Sequence, residues 1–453
     1  MASGRLLVAA DAGVGSRSLP WAVLPFLAVL GASCAAELSG SRLWDWLAAT
    51  LLAAGLALGG RHWLPRKSGR IALLICIAAV ALGALGFDLA TIGAAAARMS
   101  GVVVLMLSVA LLRPVFAERQ LDAALAAKLA RLPAALRPAT VVVAAAAASL
   151  GLSFGAIGVL GATLGRRATP ETTAACAAMR GLVLSMLLGP STASVAAVMA
   201  VYPHLSWTAA LGIGLPLALV GGALATLMAP PLVMTTTEKR RPGALLAAML
   251  LLAELAMTLI AHVALRLSMT LSIALAAAAL AIGTTLYWGR QDFGAALERL
   301  DDRISESWTS VMPESALFLA AGLLIGVMQL PELAVPLRHA VALLLPGGAW
   351  SVLAVLVLMP LVTLAGIHPM VPFAILAPVL SAADLGISTA GLYAMWIVAF
   401  MLSMLLSPVS VLRMMTSSNF AVPSRLLGWR GNGGFAAAFA GASALLIVLC
   451  CGA

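Results

Sequence analysis

Leu184-Ser185-Met186-Leu187-Leu188-Gly189-Pro190-Ser191-Thr192 returns in the second half of the chain as Leu402-Ser403-Met404-Leu405-Leu406-Ser407-Pro408-Val409-Ser410. Five residues and a proline match in register. Both copies lie inside apolar segments, and the proline interrupts both. Proline removes a backbone donor and clashes with the preceding turn, so each helix opens there. Opened backbone at membrane depth survives only where protein or a water-filled cavity surrounds it. Two such breaks at corresponding places in two halves of a chain point to the binding site of a secondary transporter.

The composition sets this reading in a membrane. Of 453 residues, 62% are hydrophobic and only 10% charged, with a mean hydropathy of +1.08. Many apolar runs exceed the roughly 18 residues that suggest a spanning helix. The net charge of +10 does not point to nucleic acid, because the positive residues are scattered over loops rather than gathered on one face. Cys34, Cys76, Cys176, Cys450 and Cys451 show no metal-ligand spacing and read as small apolar helix residues. The stretch ending at Cys34 faintly resembles a lipoprotein cleavage site. The polar residues 1–19 and the long run after them fit an uncleaved first span better.

Spans are expected at 20–36, 46–60, 71–87, 99–113, 173–200, 206–232, 244–263, 267–288, 315–330, 390–412 and 434–452. Two further stretches, 138–165 and 353–382, are interrupted near their middles by Gly151-Leu152-Ser153-Phe154-Gly155 and Gly366-Ile367-His368-Pro369. An arm of about 13 residues rises only about 20 Å, too little to cross a hydrocarbon core of about 30 Å. Loop charge favours re-entrant hairpins: Arg131 and Arg137 precede the first stretch, and Arg166 and Arg167 follow it. With both stretches as hairpins, about eleven spans remain. Every Lys and Arg then falls on one side except Arg42, Arg98, Arg266, Arg338 and the intra-span Arg180, which is expected to snorkel. The positive-inside rule makes that side, and the N-terminus, cytoplasmic, as in a multi-pass protein of a bacterial-type inner membrane.

The expected fold is therefore all-α, with two inverted repeats. Residues 1–98 form N-terminal scaffold helices. Repeat 1 covers 99–232, with an amphipathic arm, hairpin 138–165 and broken helix 173–200. Residues 233–314 supply linking helices and a cytoplasmic loop. Repeat 2 covers 315–453, with arm, hairpin 353–382, broken helix 390–412 and last span. The arms, 114–137 and 331–352, read as interfacial helices, the first carrying Glu118, Arg119, Asp122, Lys128 and Arg131. Residues 289–314 fit either that description or a solvated helix.

Paired hairpins followed by proline-broken helices resemble the ion transporter superfamily, which includes divalent-anion:sodium symporters, citrate carriers and membrane subunits of tripartite dicarboxylate transporters. The divalent-anion symporters carry Ser-Asn-Thr at each hairpin tip. Here Ser153 and His368 stand in other contexts, so dicarboxylate specificity does not carry over. The resemblance implies a scaffold and a transport domain, a homodimer and elevator-type movement.

The expected substrate residues are Ser153, Pro190, Ser191, Thr192, His368, Pro408, Ser410 and Arg413, with Thr416 and Asn419 nearby. Gly151, Ser194, Gly366 and Ser407 are expected at a coupling ion. Half-helix N-termini offer unpaired N–H groups and partial positive charge, which suit an anion. Each hydroxyl has the alternative of bonding back to its own helix. Arg413 is read either as a carboxylate or phosphate clamp or as a snorkelling residue, and His368 as an anion or proton site or a donor to hairpin backbone. Glu254 and His262, eight residues apart on one helix face, are read as a proton relay or as interhelical polar contacts.

No Asp or Glu occurs in 138–165, 173–200, 353–382 or 390–420. This favours an anionic or polar small-molecule solute, with Na+ as the one cofactor-like ion or protons in its place. No catalytic residue set is expected. The alternatives are a membrane-embedded enzyme, a lipid- or polysaccharide-handling protein, or a channel; no HExxH, GxSxG or Asp-rich loop supports the enzyme. Single cysteines placed at Arg167 and Ala383 should label from the cytoplasm and from outside, respectively, with membrane-impermeant maleimide. Labelling of position 167 from outside would make 138–165 a full span.

Overall fold

Long runs of Ala, Leu and Val leave a backbone in lipid no partner but itself, and the helix is the local solution. A computed structural model describes residues 22–84, 88–117, 129, 131–165, 168–189, 191–202, 205–234, 243–345 and 347–452. The N-terminal helices are α1 (Val23–Ser39), α2 (Arg42–Leu58), the short α3 (Gly60–Trp63), α4 (Lys67–Gly83) and α5 (Leu89–Ala117). Then come α6 (Arg137–Leu152), α7 (Gly155–Leu164), α8 (Glu171–Ser185), α9 (Ala193–Val201) and α10 (Trp207–Leu227). Next are α11 (Gly243–Ala264), α12 (Met269–Trp288) and α13 (Phe293–Met328). The second half continues with α14 (Pro331–Leu344), α15 (Gly348–Leu364), α16 (Met370–Leu376), α17 (Ala382–Leu385), α18 (Thr389–Leu406), α19 (Val411–Phe420), α20 (Ser424–Leu427) and α21 (Trp429–Cys451). Strands β1 (Ala168–Thr169) and β2 (Val233–Met234) pair antiparallel and tie the loop after α7 to the loop after α10.

Six helical segments among the described residues are long and apolar enough to cross a membrane: Ala90–Leu112, Trp207–Leu227, Met269–Trp288, Phe293–Met328, Thr389–Leu406 and Ser424–Cys451. The bent pair α14 and α15 would add a seventh if it forms one span. Helices α1, α4, α6 and α11 are apolar but shorter. The protein is thus an all-helical multi-pass membrane protein.

Helices α5 and α13 form the central seam. They approach closely because Gly322 and Gly326, four residues apart, lie against the backbone of Ala96 and Ile92. Small residues at that spacing let two membrane helices gain dispersion energy over their lengths. α4 and α12 pack around the pair. The segment 289–314, expected as an interfacial or a solvated helix, is helical from Phe293 onward and runs unbroken through Pro313 into the expected span, in one helix of 36 residues. The N-terminal half of this helix also holds α1, for Asp301 Oδ1 accepts from the backbone N–H groups of Ala22 and Val23 at 2.8 and 3.2 Å. The arm residues Glu118, Arg119, Asp122 and Lys128, like Arg166, Arg167 and Pro190, lie outside the described residues.

The remaining helices pack reciprocally. α6 lies along α8, as α15 lies along α18. α8 touches α19, and α9 touches α18, while α8 and α18 meet each other. α7 packs on α19, where Gly161 and Gly165 admit the backbone of Asn419 and Phe420. In the opposite sense, Tyr202 at the end of α9 donates to the carbonyl of Ala377 at the end of α16 (3.2 Å) and accepts from Trp396 Nε1 on α18 (2.9 Å). Phe373 of α16 stacks edge-on against Trp396, centroids 5.2 Å apart.

Gly326→Leu should force α5 and α13 apart. It is expected to cost about 1–3 kcal/mol, as overpacking usually does, and to lower the thermal midpoint in detergent. Gly441→Leu, where an added side chain meets open space, should leave that midpoint unchanged.

Candidate functional site

Each broken helix is tied to the interruption of the apolar stretch before it by the same kind of bond. Ser191, just past the first break, donates its hydroxyl to the carbonyl of Ser149 in the last turn of α6 (3.0 Å). Ser407, which ends α18, donates to the carbonyl of Thr363 in the last turn of α15 (3.1 Å) and accepts from Val409 N–H (3.3 Å). Each carbonyl also accepts a backbone N–H, from Ser153 (2.9 Å) and Gly366 (3.0 Å) respectively, so the hydroxyl is its second donor. The break is thus tied to the interruption, and both serines are buried.

The interruptions themselves are sharp. Ser153, between α6 and α7, takes φ of 48° with a buried side chain. Gly366, after α15, takes φ of 88°, a conformation glycine adopts without the steric cost of a Cβ. His368 is half-buried; its Nδ1 accepts from Met370 N–H (3.2 Å). Towards the backbone it thus acts as an acceptor, not as the donor that one of its readings had it, and its Nε2 has no partner among the described residues.

The half-helices after the breaks begin alike. Thr192 is the N-cap of α9 and Ser410 the N-cap of α19; both have extended backbones, and neither caps its helix with its side chain. Both hydroxyls are buried with no hydrogen-bond partner among the described residues. The two residues occupy the same place in the repeated sequence. Ser or Thr at an N-cap normally spends its oxygen on an N–H of the first turn. Here each helix start keeps an unspent hydroxyl beside its free N–H groups. Ser194, in the first turn of α9, is buried and also makes no side-chain hydrogen bond among the described residues. Thr416 and Asn419, by contrast, bond back to Leu412 and Met415 carbonyls at 2.7 and 2.8 Å.

Arg413 is half-buried and largely occupied. Its Nε donates to Ser424 O (2.8 Å) and its Nη1 to Leu406 O (3.2 Å). The second bond places a cation on the last carbonyls of α18, where the helix dipole favours it. Nη2 has no partner among the described residues. Pro408, between the two half-helices, is exposed.

Arg180, expected to snorkel, is buried in α8. Its Nε donates to Asn432 Oδ1 (2.9 Å), its Nη1 to Ala225 O (3.3 Å) and its Nη2 to Gly431 O (2.8 Å), and its guanidinium lies over Phe435. It joins α8 to α10 and α21, a role that its own helix gave no sign of. His262 is also accounted for locally, its Nδ1 lying 2.8 Å from Leu267 O. Gly151, expected at a coupling ion, is instead covered by the side chains of Glu254 and Leu251 from α11. Glu254 belongs to the linking segment 233–314, outside the two expected repeats.

A cavity of about 450 Å³ opens beside α9, lined by Met199 and Ala200 of that helix, by Arg98 and Ser100 of α5, and by Glu37 and His262. Among the described residues no group of three His, Cys, Asp or Glu side chains is placed to hold a metal.

An all-helical membrane chain whose interrupted apolar helices are bound to broken helices has a counterpart among solved structures. The similarity is seen with the YdaH transporter of Alcanivorax borkumensis, whose crystal structure is described as having an unusual topology. The two align with a TM-score of 0.55 at 15% identity, covering 85% of this chain and 97% of that one. No protein-family model and no curated protein matches the sequence.

Ser191→Ala should lower the unfolding free energy by about 1 kcal/mol, the usual worth of a lost hydrogen bond, and untie the break from the end of α6. Thr192→Val removes a hydroxyl that has no hydrogen-bond partner among the described residues, so its thermal midpoint should hold or rise. A drop for Thr192→Val equal to that for Ser191→Ala would mean that the Thr192 hydroxyl is structural.

Proposed function

We propose that this protein is a secondary active transporter of a small anionic solute, an organic acid or oxyanion, coupled to Na+ or H+ and working by elevator-type alternating access. The observation that carries the reading is the pair Thr192 and Ser410. Two helix starts at matching repeat positions each present an unspent buried hydroxyl and unpaired N–H groups. No hydrogen-bond partner among the described residues uses these hydroxyls, and an anion would. The similarity to a transporter fold supports the same class.

The reciprocal packing of α6 to α10 and α15 to α21 supports two inverted repeats with re-entrant hairpins and about eleven spans, an arrangement suited to alternating access. In this reading residues 99–232 and 315–453 are the repeats, 1–98 the scaffold and 233–314 the link. Pro408 opens the second helix, and Pro190, which lies outside the described residues, is assigned the matching place in the first. Ser153, Ser191, Thr192, His368, Ser410 and the free Nη2 of Arg413 surround the solute, and Gly151, Ser194, Gly366 and Ser407 lie near the coupling ion. The particular link to the divalent-anion and citrate carriers, a homodimeric state and an inner-membrane location with a cytoplasmic N-terminus belong to the same proposal. An enzymatic reading has no set of nucleophile, base and electrophile to rest on.

The test is counterflow into proteoliposomes of the purified chain with radiolabelled succinate, citrate and sulfate. Uptake of at least one should saturate and, without preloading, follow an imposed Na+ or proton gradient. The double variant Thr192→Val/Ser410→Ala should raise half-saturation about tenfold or more, since a lost hydrogen bond to a charged group is worth about 1.5–3 kcal/mol. Ohmic conductance without saturation would instead support a channel, and uptake confined to cations or neutral solutes would remove the anion reading.

A further inference from the structure

Helix α11 turns Met249, Leu252, Leu255, Leu259, Ile260 and Val263 outward. Its buried face is narrow, with Leu250, Glu254, Thr258 and Ala261 pointing into the protein. Glu254 is only 3% exposed, and neither carboxyl oxygen has a hydrogen-bond partner among the described residues. The carboxyl rests on Gly151, where even a methyl group would collide with Oε2, and Leu251 closes the same contact. Gly151 lies two residues before the turn at Ser153. A side chain from outside both repeats thus seats a lone carboxyl on the first interruption of the candidate site.

Among the described residues no charge lies beside it. α11 packs on α12 and α6. Neither the last turns of α6 nor α7 carries an ionisable residue, and α12 offers only Tyr287, exposed in its final turn beside Arg290. On α11 itself the nearest ionisable group is His262, about 12 Å further along the helix and held by Leu267 O. Arg137 stands at the opposite end of α6, about 20 Å away by helical rise. An ionised carboxylate here would be a buried charge without donor or cation, which low-dielectric surroundings do not tolerate. The neutral acid fits, and so does Gly151, since any side chain at that position would push the carboxyl away.

We propose that Glu254 is a proton-binding site at the seam between α11 and the α6–α7 hairpin. The carboxyl holds its proton while the hairpin is seated on α11. When the hairpin moves off, water reaches the carboxyl, one O–H bond breaks and the proton passes to water. The return stroke requires reprotonation, so proton and hairpin positions are coupled. This deepens the transporter reading and rests on it for its role in transport, though the site itself does not.

Two measurements on the full chain in lipid separate the two. The first is the pH-difference infrared spectrum of wild type, Glu254→Gln and Glu254→Asp, with no solute present. A protonated-carboxyl band that titrates in wild type, vanishes in Glu254→Gln and returns shifted in Glu254→Asp supports the site. Identical wild-type and Glu254→Gln spectra across the pH range overturn it, as does a band that follows sodium rather than pH. If Glu254→Gln does not insert, the shift between wild type and Glu254→Asp decides alone. The second is uptake of succinate, citrate or sulfate. Glu254→Gln should keep counterflow but lose accumulation driven by a pH gradient. Retained gradient-driven accumulation overturns the coupling role. Failure of wild type to transport any of the three, with the infrared band present, counts against the transporter reading and leaves the proton site standing.

Discussion

Backbone opened inside a membrane must find its partners in protein, and this constraint organises the second two-thirds of the chain. Each proline-associated break frees carbonyls and N–H groups that lipid cannot satisfy. Around the breaks the carbonyls are well used: Ser191 and Ser407 add a hydroxyl donor to the Ser149 and Thr363 carbonyls, which also accept from Ser153 and Gly366 N–H, and Arg413 donates to Leu406 O. At Thr192 and Ser410 the hydroxyls have no partner among the described residues. These donor-rich helix starts are the feature on which the proposed anion site rests.

The surrounding packing keeps these open ends in place. Glycines at Gly161, Gly165, Gly322 and Gly326 bring helix backbones into contact, so that dispersion replaces the hydrophobic effect that lipid removes. Tyr202 ties the end of α9 to α16 and α18, and Arg180 with Asn432 ties α8 to α10 and α21. A buried guanidinium is costly unless it is well bonded. Arg180 donates from all three of its nitrogens and lies over an aromatic face, and so joins these helices. The joints lie away from the half-helix starts, where the candidate ligand groups remain free.

The sequence was most legible where its periodicity and its interruptions were strong. The proline repeat, the apolar runs and the glycines at Gly151 and Gly366 located the breaks, and the hydroxyls at Ser191, Thr192, Ser407 and Ser410 followed from them. It was least legible where a residue's meaning depends on a distant neighbour. Arg180 reads as a snorkelling residue along its own helix, and only α10 and α21 supply its three acceptors. Residues 293–314 read by charge as an interfacial or solvated helix, and only the structure shows that helix continuing through Pro313 into the apolar span. His368 reads as an anion site, a proton site or a donor to hairpin backbone, and in the structure its Nδ1 accepts from Met370 N–H.

Local chemistry in the sequence determined that this protein is helical and membrane-embedded, and where its helices break, because backbone satisfaction in lipid and the proline ring act within a few residues. Tertiary structure alone decided which hydroxyls are spent and which remain available. It also decided that Glu254, absent from every site-forming segment, reaches Gly151. Those outcomes depend on contacts between residues tens to hundreds of positions apart, and the packing of one helix against another, rather than any property of either segment, sets them.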